Sequence, residues 1–314
     1  MRDIFINRLC ELAASDERIL LITGDLGFKV LDEFRERFPR QFLNAGVAEQ
    51  NMTALAAGAA LDGHIVFTYS IANFTFMRCL EQIRNDAAYH DCNVKIVSVG
   101  GGFSYGALGI SHHATEDLSI MRSIPGVTVG SPGDDWEASE MTAAMTYRPG
   151  VCYLRLDKSS AGITQLPGEQ FELGRVRTVR AGHDVTLAAT GGILEEALRA
   201  ATELAQQGIS ARVLSVHTLQ PLEVEPFLRA ARETAGIVTI EEQTIHGGLG
   251  GAVAETLLEA GGRPGFFQRI GLRAGFSSVV GSQNYLRGVY GIDTAAIVAC
   301  VQERLGSRRL KLAS

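Results

Sequence analysis

This 314-residue sequence predicts an α/β protein of two successive domains, the first built on a doubly wound parallel sheet. Three observations support this. Short β-branched apolar runs alternate with helical patterns from residue 1 to about 160, as in a parallel sheet covered by helices on both faces. The rhythm lapses at Ser159-Ser-Ala-Gly-Ile-Thr-Gln-Leu-Pro-Gly168 and resumes near Arg180. The length suffices for about two cores of ordinary size. The expected division is residues 1–160, a linker over 161–180, and a second domain over 181–314.

Taken in order, Met1-Arg-Asp-Ile-Phe-Ile-Asn-Arg-Leu-Cys-Glu-Leu12 spaces its apolar residues for one helix face and carries acids within, unlike a signal peptide. Strands follow at Ile19 to Ile22, Ile65 to Phe67, Val94 to Val99, Val127 to Gly130 and Val151 to Arg155. Helices fall between them at Asp32 to Phe38, Ala48 to Leu61, Phe74 to Ala88, Thr115 to Met121 and Asp135 to Thr146, several opened by Asp or Thr at cap positions. The second unit reads as strand Asp184 to Ala189, helix Leu194 to Gln207, strand Ala211 to Ser215, helix Leu222 to Thr234 and strand Ile237 to Glu241. Gly247-Gly-Leu-Gly-Gly251 then opens a final long helix. It fits neither the dinucleotide fingerprint nor the lysine-bearing P-loop, so its glycines are read as a tight turn and close packing.

Composition excludes several functions. With 29 Lys and Arg against 35 Asp and Glu, the net charge of −6 is the wrong sign for a surface that tracks nucleic-acid phosphates. The five cysteines are scattered without metal-ligand spacing, as suits reduced thiols in a cytoplasmic protein. No apolar run reaches the ~18 residues of a membrane span.

The chemistry gathers at Gly46-Val-Ala-Glu-Gln-Asn-Met52, which sets Glu49 at the start of a helix whose next residues, Thr53-Ala-Leu-Ala-Ala-Gly-Ala-Ala60, are small enough for close backbone approach. A buried carboxylate there needs a partner. Alone, the motif equally describes an acid that complements a helix N-terminus. The pattern resembles the pyrimidine-binding half of the transketolase family, and the likeness runs over nearly the whole chain. It implies that Glu49 hydrogen-bonds the N1′ atom of thiamine diphosphate. Asp25, in Thr23-Gly-Asp-Leu26 at a strand end, falls where the family places an aspartate beside the cofactor.

Tyr69-Ser-Ile-Ala-Asn-Phe-Thr-Phe-Met-Arg-Cys-Leu-Glu-Gln-Ile-Arg-Asn85 resembles the family segment whose aromatic ring stacks on the aminopyrimidine. Phe74 is the choice for that ring, with Phe76 the alternative if the register slips. Gly106-Ala-Leu-Gly-Ile-Ser-His-His-Ala-Thr-Glu-Asp-Leu118 resembles the loop whose histidine faces the reacting carbon. His112 matches that histidine, and His113 stands where the family commonly has Gln and is assigned with it to the substrate. Arg155, in Val151-Cys-Tyr-Leu-Arg-Leu156, matches an arginine that grips substrate phosphate or carboxylate. Glu241 to Glu255 resembles the family's C-terminal domain. Two positions depart. Leu108 replaces an aspartate that contacts donor hydroxyls in sugar-phosphate transketolases, and Gly100 replaces a phosphate-binding histidine.

The sequence has no Gly-Asp-Gly run of the kind that, in this family, holds a divalent metal against the diphosphate. The resemblance therefore implies a separate N-terminal, or α, subunit that supplies the Mg²⁺ site, an α2β2 assembly, and no complete site in this chain alone. It implies transfer of a two-carbon ketol unit from a ketose-type donor to an aldehyde or related acceptor. The alternatives are the β subunit of a 2-oxo acid dehydrogenase, against which the short stretch from Asn85 to Val94 argues, and a catalytically silent scaffold.

Overall fold

The computed structural model describes residues 1–273 and 275–313, with side chains as far as Ser307. Ser314, the last residue of the expected second domain, lies outside the described residues. The first half comprises α1 (Arg2–Ala13), β1 (Ile19–Thr23), α2 (Asp32–Arg37), β2 (Phe42–Asn44), α3 (Glu49–Leu61), β3 (Ile65–Ile71), α4 (Ala72–Thr75), α5 (Leu80–Gln82), β4 (Val94–Val99), α6 (Asp117–Arg122), β5 (Thr128–Gly130), α7 (Asp135–Thr146) and β6 (Cys152–Leu156). The second half continues with β7 (Arg177–Arg180), β8 (Val185–Thr190), α8 (Leu194–Gln206), β9 (Ala211–Ser215), β10 (Thr218–Gln220), α9 (Glu225–Glu233), β11 (Ile237–Thr244), α10 (Leu249–Glu259), β12 (Phe267–Leu272), α11 (Gln283–Val289) and α12 (Thr294–Ala313). No helix among the described residues is long and apolar enough to cross a membrane.

Two sheets result, ordered β10-β5-β6-β4-β3-β1-β2 and β12-β11-β8-β9-β7. Each is parallel apart from one edge strand: β10 runs antiparallel to β5, and β7 to β9. Every residue of β4 is buried, as a central strand covered on both faces requires. Its one charge, Lys95, donates to the carbonyls of Arg148 and Gly150 just beyond α7, at 2.5 and 2.8 Å. In α1, Phe5, Ile6, Leu9, Cys10 and Ala13 turn inward at the spacing of one helix face.

The expected α/β architecture is present, with corrections. Val216 to Gln220 leaves the second unit to add β10 to the first sheet, so that sheet is mixed rather than wholly parallel. One apolar cluster consequently runs through both halves, from Met52 and Val94 to Leu219 and Leu249. Arg177–Arg180, expected in the linker, is an edge strand of the second sheet. The helix opened by the 247–251 glycines is not the final one, since β12, α11 and α12 follow. The continuous helix expected over Phe74 to Ala88 is broken into α4, α5 and a π-helical turn, Ile83–Ala88. Phe76, Cys79, Ile83 and Ala87 are buried in the same apolar cluster as Met52 and Ala56 of α3.

The Glu241 carboxylate occupies the glycine run at the head of α10. Its two carboxylate oxygens accept from Leu249 N and Gly250 N at 2.7 and 2.9 Å. A Cβ on Gly248 would fall 2.1 Å from Glu241 Oε2, which accounts for the small residue there.

Candidate functional site

Five adjacent strands, β2-β1-β3-β4-β6, end on one side of the first sheet, and each delivers a candidate residue there. The chain passes from β1 to β2 on one flank and then to β3 on the other, which makes the β1/β3 boundary the reversal point where such sheets hold ligands.

Glu49 begins α3 just past β2. Its side chain is only 3% exposed, and it accepts from Arg78 Nη1 at 2.9 Å. Gly24, after β1, leaves room for it: a Cβ there would approach Glu49 Cγ to 3.3 Å. The adjacent Asp25 adopts a positive φ of 59° and is pinned to β2, with Asp25 N donating to Asn44 Oδ1 at 3.1 Å and Asn44 Nδ2 to Asp25 Oδ1 at 2.9 Å.

Phe74 is half-buried on α4, with the Arg78 guanidinium 4.4 Å from its ring centroid. Phe76 is fully buried and packs edge-on against Tyr153, which removes it as the ring that meets a ligand. Phe74 and Arg78 instead line a cavity of about 470 Å³ with Asn73, Met77, His113 and Phe276.

His112 lies edge-on to Phe74, ring centroids 5.3 Å apart. Its amide and that of His113 both donate to the Gly109 carbonyl, at 2.9 and 3.1 Å, a turn that needs the positive φ of Gly109. Burial, then the neighbouring His113, holds the His112 pKa below its usual 6.5, so the ring is neutral at pH 7. The Ser111 hydroxyl lies 2.9 Å from Nδ1, which suits a tautomer with Nε2–H free.

Two substrate assignments do not survive. His113 is enclosed, with Nδ1 2.6 Å from Ser277 Oγ and Nε2 3.0 Å from the Gly106 carbonyl, so both ring nitrogens are spent on the protein. It joins the loop that carries His112 to the second domain. Arg155 points inward from central strand β6 and is 2% exposed. Its guanidinium donates to Asp117, Asp157, Gln243 and the Glu242 carbonyl. Burial disfavours its charge, but Asp117, Asp157 and Glu242 together outweigh that and raise its pKa. Gly101 closes it off, since a Cβ there would lie 1.8 Å from Arg155 Nε.

A further exposed cation was singled out by no sequence pattern. Lys158, just past the end of β6, is exposed, and its Nζ sits 3.8 Å from the Tyr105 ring centroid. Tyr105 is 6.2 Å from the His112 ring. The same tyrosine explains Gly100, where a Cβ would meet Tyr105 Cε2 at 2.1 Å. Leu108 is 56% exposed on the turn that follows. A lysine two residues past a central strand was the available signal. Asn73, Tyr105 and the second domain's Phe276 and Ser277 carried none.

A larger cavity, about 550 Å³, lies between β12 and α12. Three arginines line it, and Arg269, Arg273 and Arg304 each donate to the protein, to Ile245 O, Arg269 O and Gln268 Oε1.

Comparison with known proteins bears on the family. The transketolase pyrimidine-binding domain matches residues 1–163 and the transketolase C-terminal domain residues 174–297. The 6-deoxy-6-sulfo-D-fructose transketolase subunit SqwH of Clostridium sp. (strain MSTE9) is 38% identical over 304 residues, 96% of this chain and 94% of that one. An apulose-4-phosphate transketolase subunit of Phocaeicola vulgatus is 37% identical over 260 residues, covering 82% and 83%. A solved structure described as a split-gene transketolase, inactive beta4 tetramer, superposes with a TM-score of 0.86 at 34% identity, covering 97% of both chains. The chain belongs to the transketolase family, of which it carries the pyrimidine-binding domain followed by the C-terminal domain.

Proposed function

We propose that this chain is the C-terminal subunit of a heteromeric, thiamine diphosphate-dependent transketolase that moves a two-carbon ketol unit from a ketose-type donor to an aldehyde acceptor. The observation that carries the reading is the buried Glu49 carboxylate joined to the half-buried Phe74 ring through Arg78, which pairs with the carboxylate and lies over the ring, while Phe74 and Arg78 line a cavity of about 470 Å³. Those residues fit an aminopyrimidine, with a carboxylate for a ring nitrogen and an aromatic face for a flat heterocycle. Asp25, half-buried beside β2, joins Glu49 and Phe74 in the cofactor set. The diphosphate and its Mg²⁺ fall to a partner subunit in an α2β2 assembly. Relatives named as subunits, and a beta4 tetramer described as inactive, support that division of labour.

Bound thiamine diphosphate supplies a nucleophilic carbon and an electron sink. The rest is the work of this chain. Glu49 is placed to bond N1′ and to accept or return its proton. Phe74 orients the ring and keeps water from it. His112, neutral at pH 7, donates a hydrogen bond to the substrate oxygen as negative charge builds there. Lys158 receives the acidic end of the substrate, the task first assigned to Arg155.

The test is turnover by this chain reconstituted with a partner that carries the Gly-Asp-Gly half. Ketol transfer from a ketose phosphate, lost in Glu49→Gln, is the expected result. Decarboxylation of pyruvate without ketol transfer would overturn it in favour of a 2-oxo acid dehydrogenase subunit. No turnover in a stable complex would favour a scaffold.

A further inference from the structure

Asn73 stands between the two halves of the site. It precedes Phe74 on α4, and its Nδ2 lies 3.4, 3.1 and 2.9 Å from the carbonyl oxygens of Ile110, Ser111 and His113. These carbonyls flank His112. Three acceptors around one nitrogen fix the amide's orientation, because the flipped form would set Oδ1 against three carbonyl oxygens.

Oδ1 is thereby committed to the other side of the amide. It is buried and has no hydrogen-bond partner among the described residues. Asn73 lines the same cavity as Phe74 and Arg78. A buried acceptor without a partner carries a desolvation penalty that an N–H or O–H group in that cavity would remove.

Resting on the ketol-transfer reading, we propose that Asn73 is a positioning residue for His112 and that its Oδ1 accepts a hydrogen bond from a ligand donor group held over Phe74. The donor is an amino group of the cofactor ring or a hydroxyl of the sugar substrate, and the test separates the two. A single amide then couples occupation of the ring pocket to the placement of the catalytic loop.

Asn73→Ala removes both halves of the amide, whereas Asn73→Asp keeps an acceptor and loses the clamp. Each is made in the complex with the diphosphate-binding subunit, and thermal melting checks that each folds. Hydrogen exchange at the His112 and His113 amides, measured without cofactor, is expected to quicken about tenfold in both variants. In both, kcat is expected to fall about tenfold or more.

If the donor is the cofactor's, the thiamine diphosphate Kd read by calorimetry rises about tenfold in Asn73→Ala and stays within about threefold in Asn73→Asp. If the donor is a substrate hydroxyl, cofactor Kd is unchanged in both, and KM for the hydroxylated donor rises in Asn73→Ala alone. Wild-type exchange, Kd, KM and kcat in Asn73→Ala would overturn the proposal. A wild-type complex that binds no thiamine diphosphate would instead overturn the ketol-transfer reading, while the exchange measurement would still report on the clamp.

Discussion

Lys158 and Arg155 lie three residues apart on one strand and its end, and burial separates their uses. Arg155 is locked among Asp117, Asp157 and Glu242, so Arg155→Met would leave two buried carboxylates without their counter-ion. Loss of one partner from such a network costs about 3–5 kcal/mol. Urea unfolding is expected to show that loss, with no selective change in substrate KM. Lys158→Met should do the reverse. Stability holds, while KM for a phosphorylated substrate rises roughly 10- to 100-fold, the value of about 1.5–3 kcal/mol for a hydrogen bond to a charged group. KM for an uncharged acceptor should not move. Sequence alone could not make this distinction, because an arginine in Tyr-Leu-Arg-Leu reads the same whether its strand face meets solvent or a second domain. Glu49 and Phe74 were named from segments that resemble the transketolase family, and the structure sets them at the start of α3 and on α4 just past β3.

At the scale of elements, the long central strands were legible and the short edges were not. β4 and β8 announce themselves by six-residue runs rich in apolar residues, whereas β2, β7, β10 and β12 are short or carry charges on half-exposed edges. β10 matters most, since it carries the second half into the first sheet. His217, just before it, is buried, stacks on Phe171 at 4.6 Å and bonds Thr218 Oγ1 at 2.8 Å through Nδ1. Burial, then Arg177, lowers its pKa from 6.5 to about 3, against an opposing pull from Glu169. The folded state therefore keeps this ring neutral while the unfolded chain protonates it below pH 6.5. Its contribution is complete above pH 6.5 and is lost as pH falls toward 3, by an amount on the order of a few kcal/mol. Melting temperature measured across that range should fall less steeply in His217→Phe, which keeps the stack and removes the proton site. A slope identical to wild type would place the acid sensitivity elsewhere.

For the whole molecule, two sheets share one apolar cluster, and a loop of the second domain reaches the site through Ser277 and Phe276. The second domain is thus part of the site's wall, which no local pattern in the sequence disclosed. The proposed division gives this chain the ring of the cofactor and its partner the diphosphate. Calorimetric titration of thiamine diphosphate with Mg²⁺ tests it most directly. The titration would be run into the chain alone, into its complex with a partner that carries the diphosphate-binding half, and into the same complex carrying Glu49→Gln. Saturable binding is expected in the wild-type complex, none in the isolated chain, and weaker binding in the variant complex. No binding by a stable wild-type complex, or equal binding by the chain alone, would contradict that division.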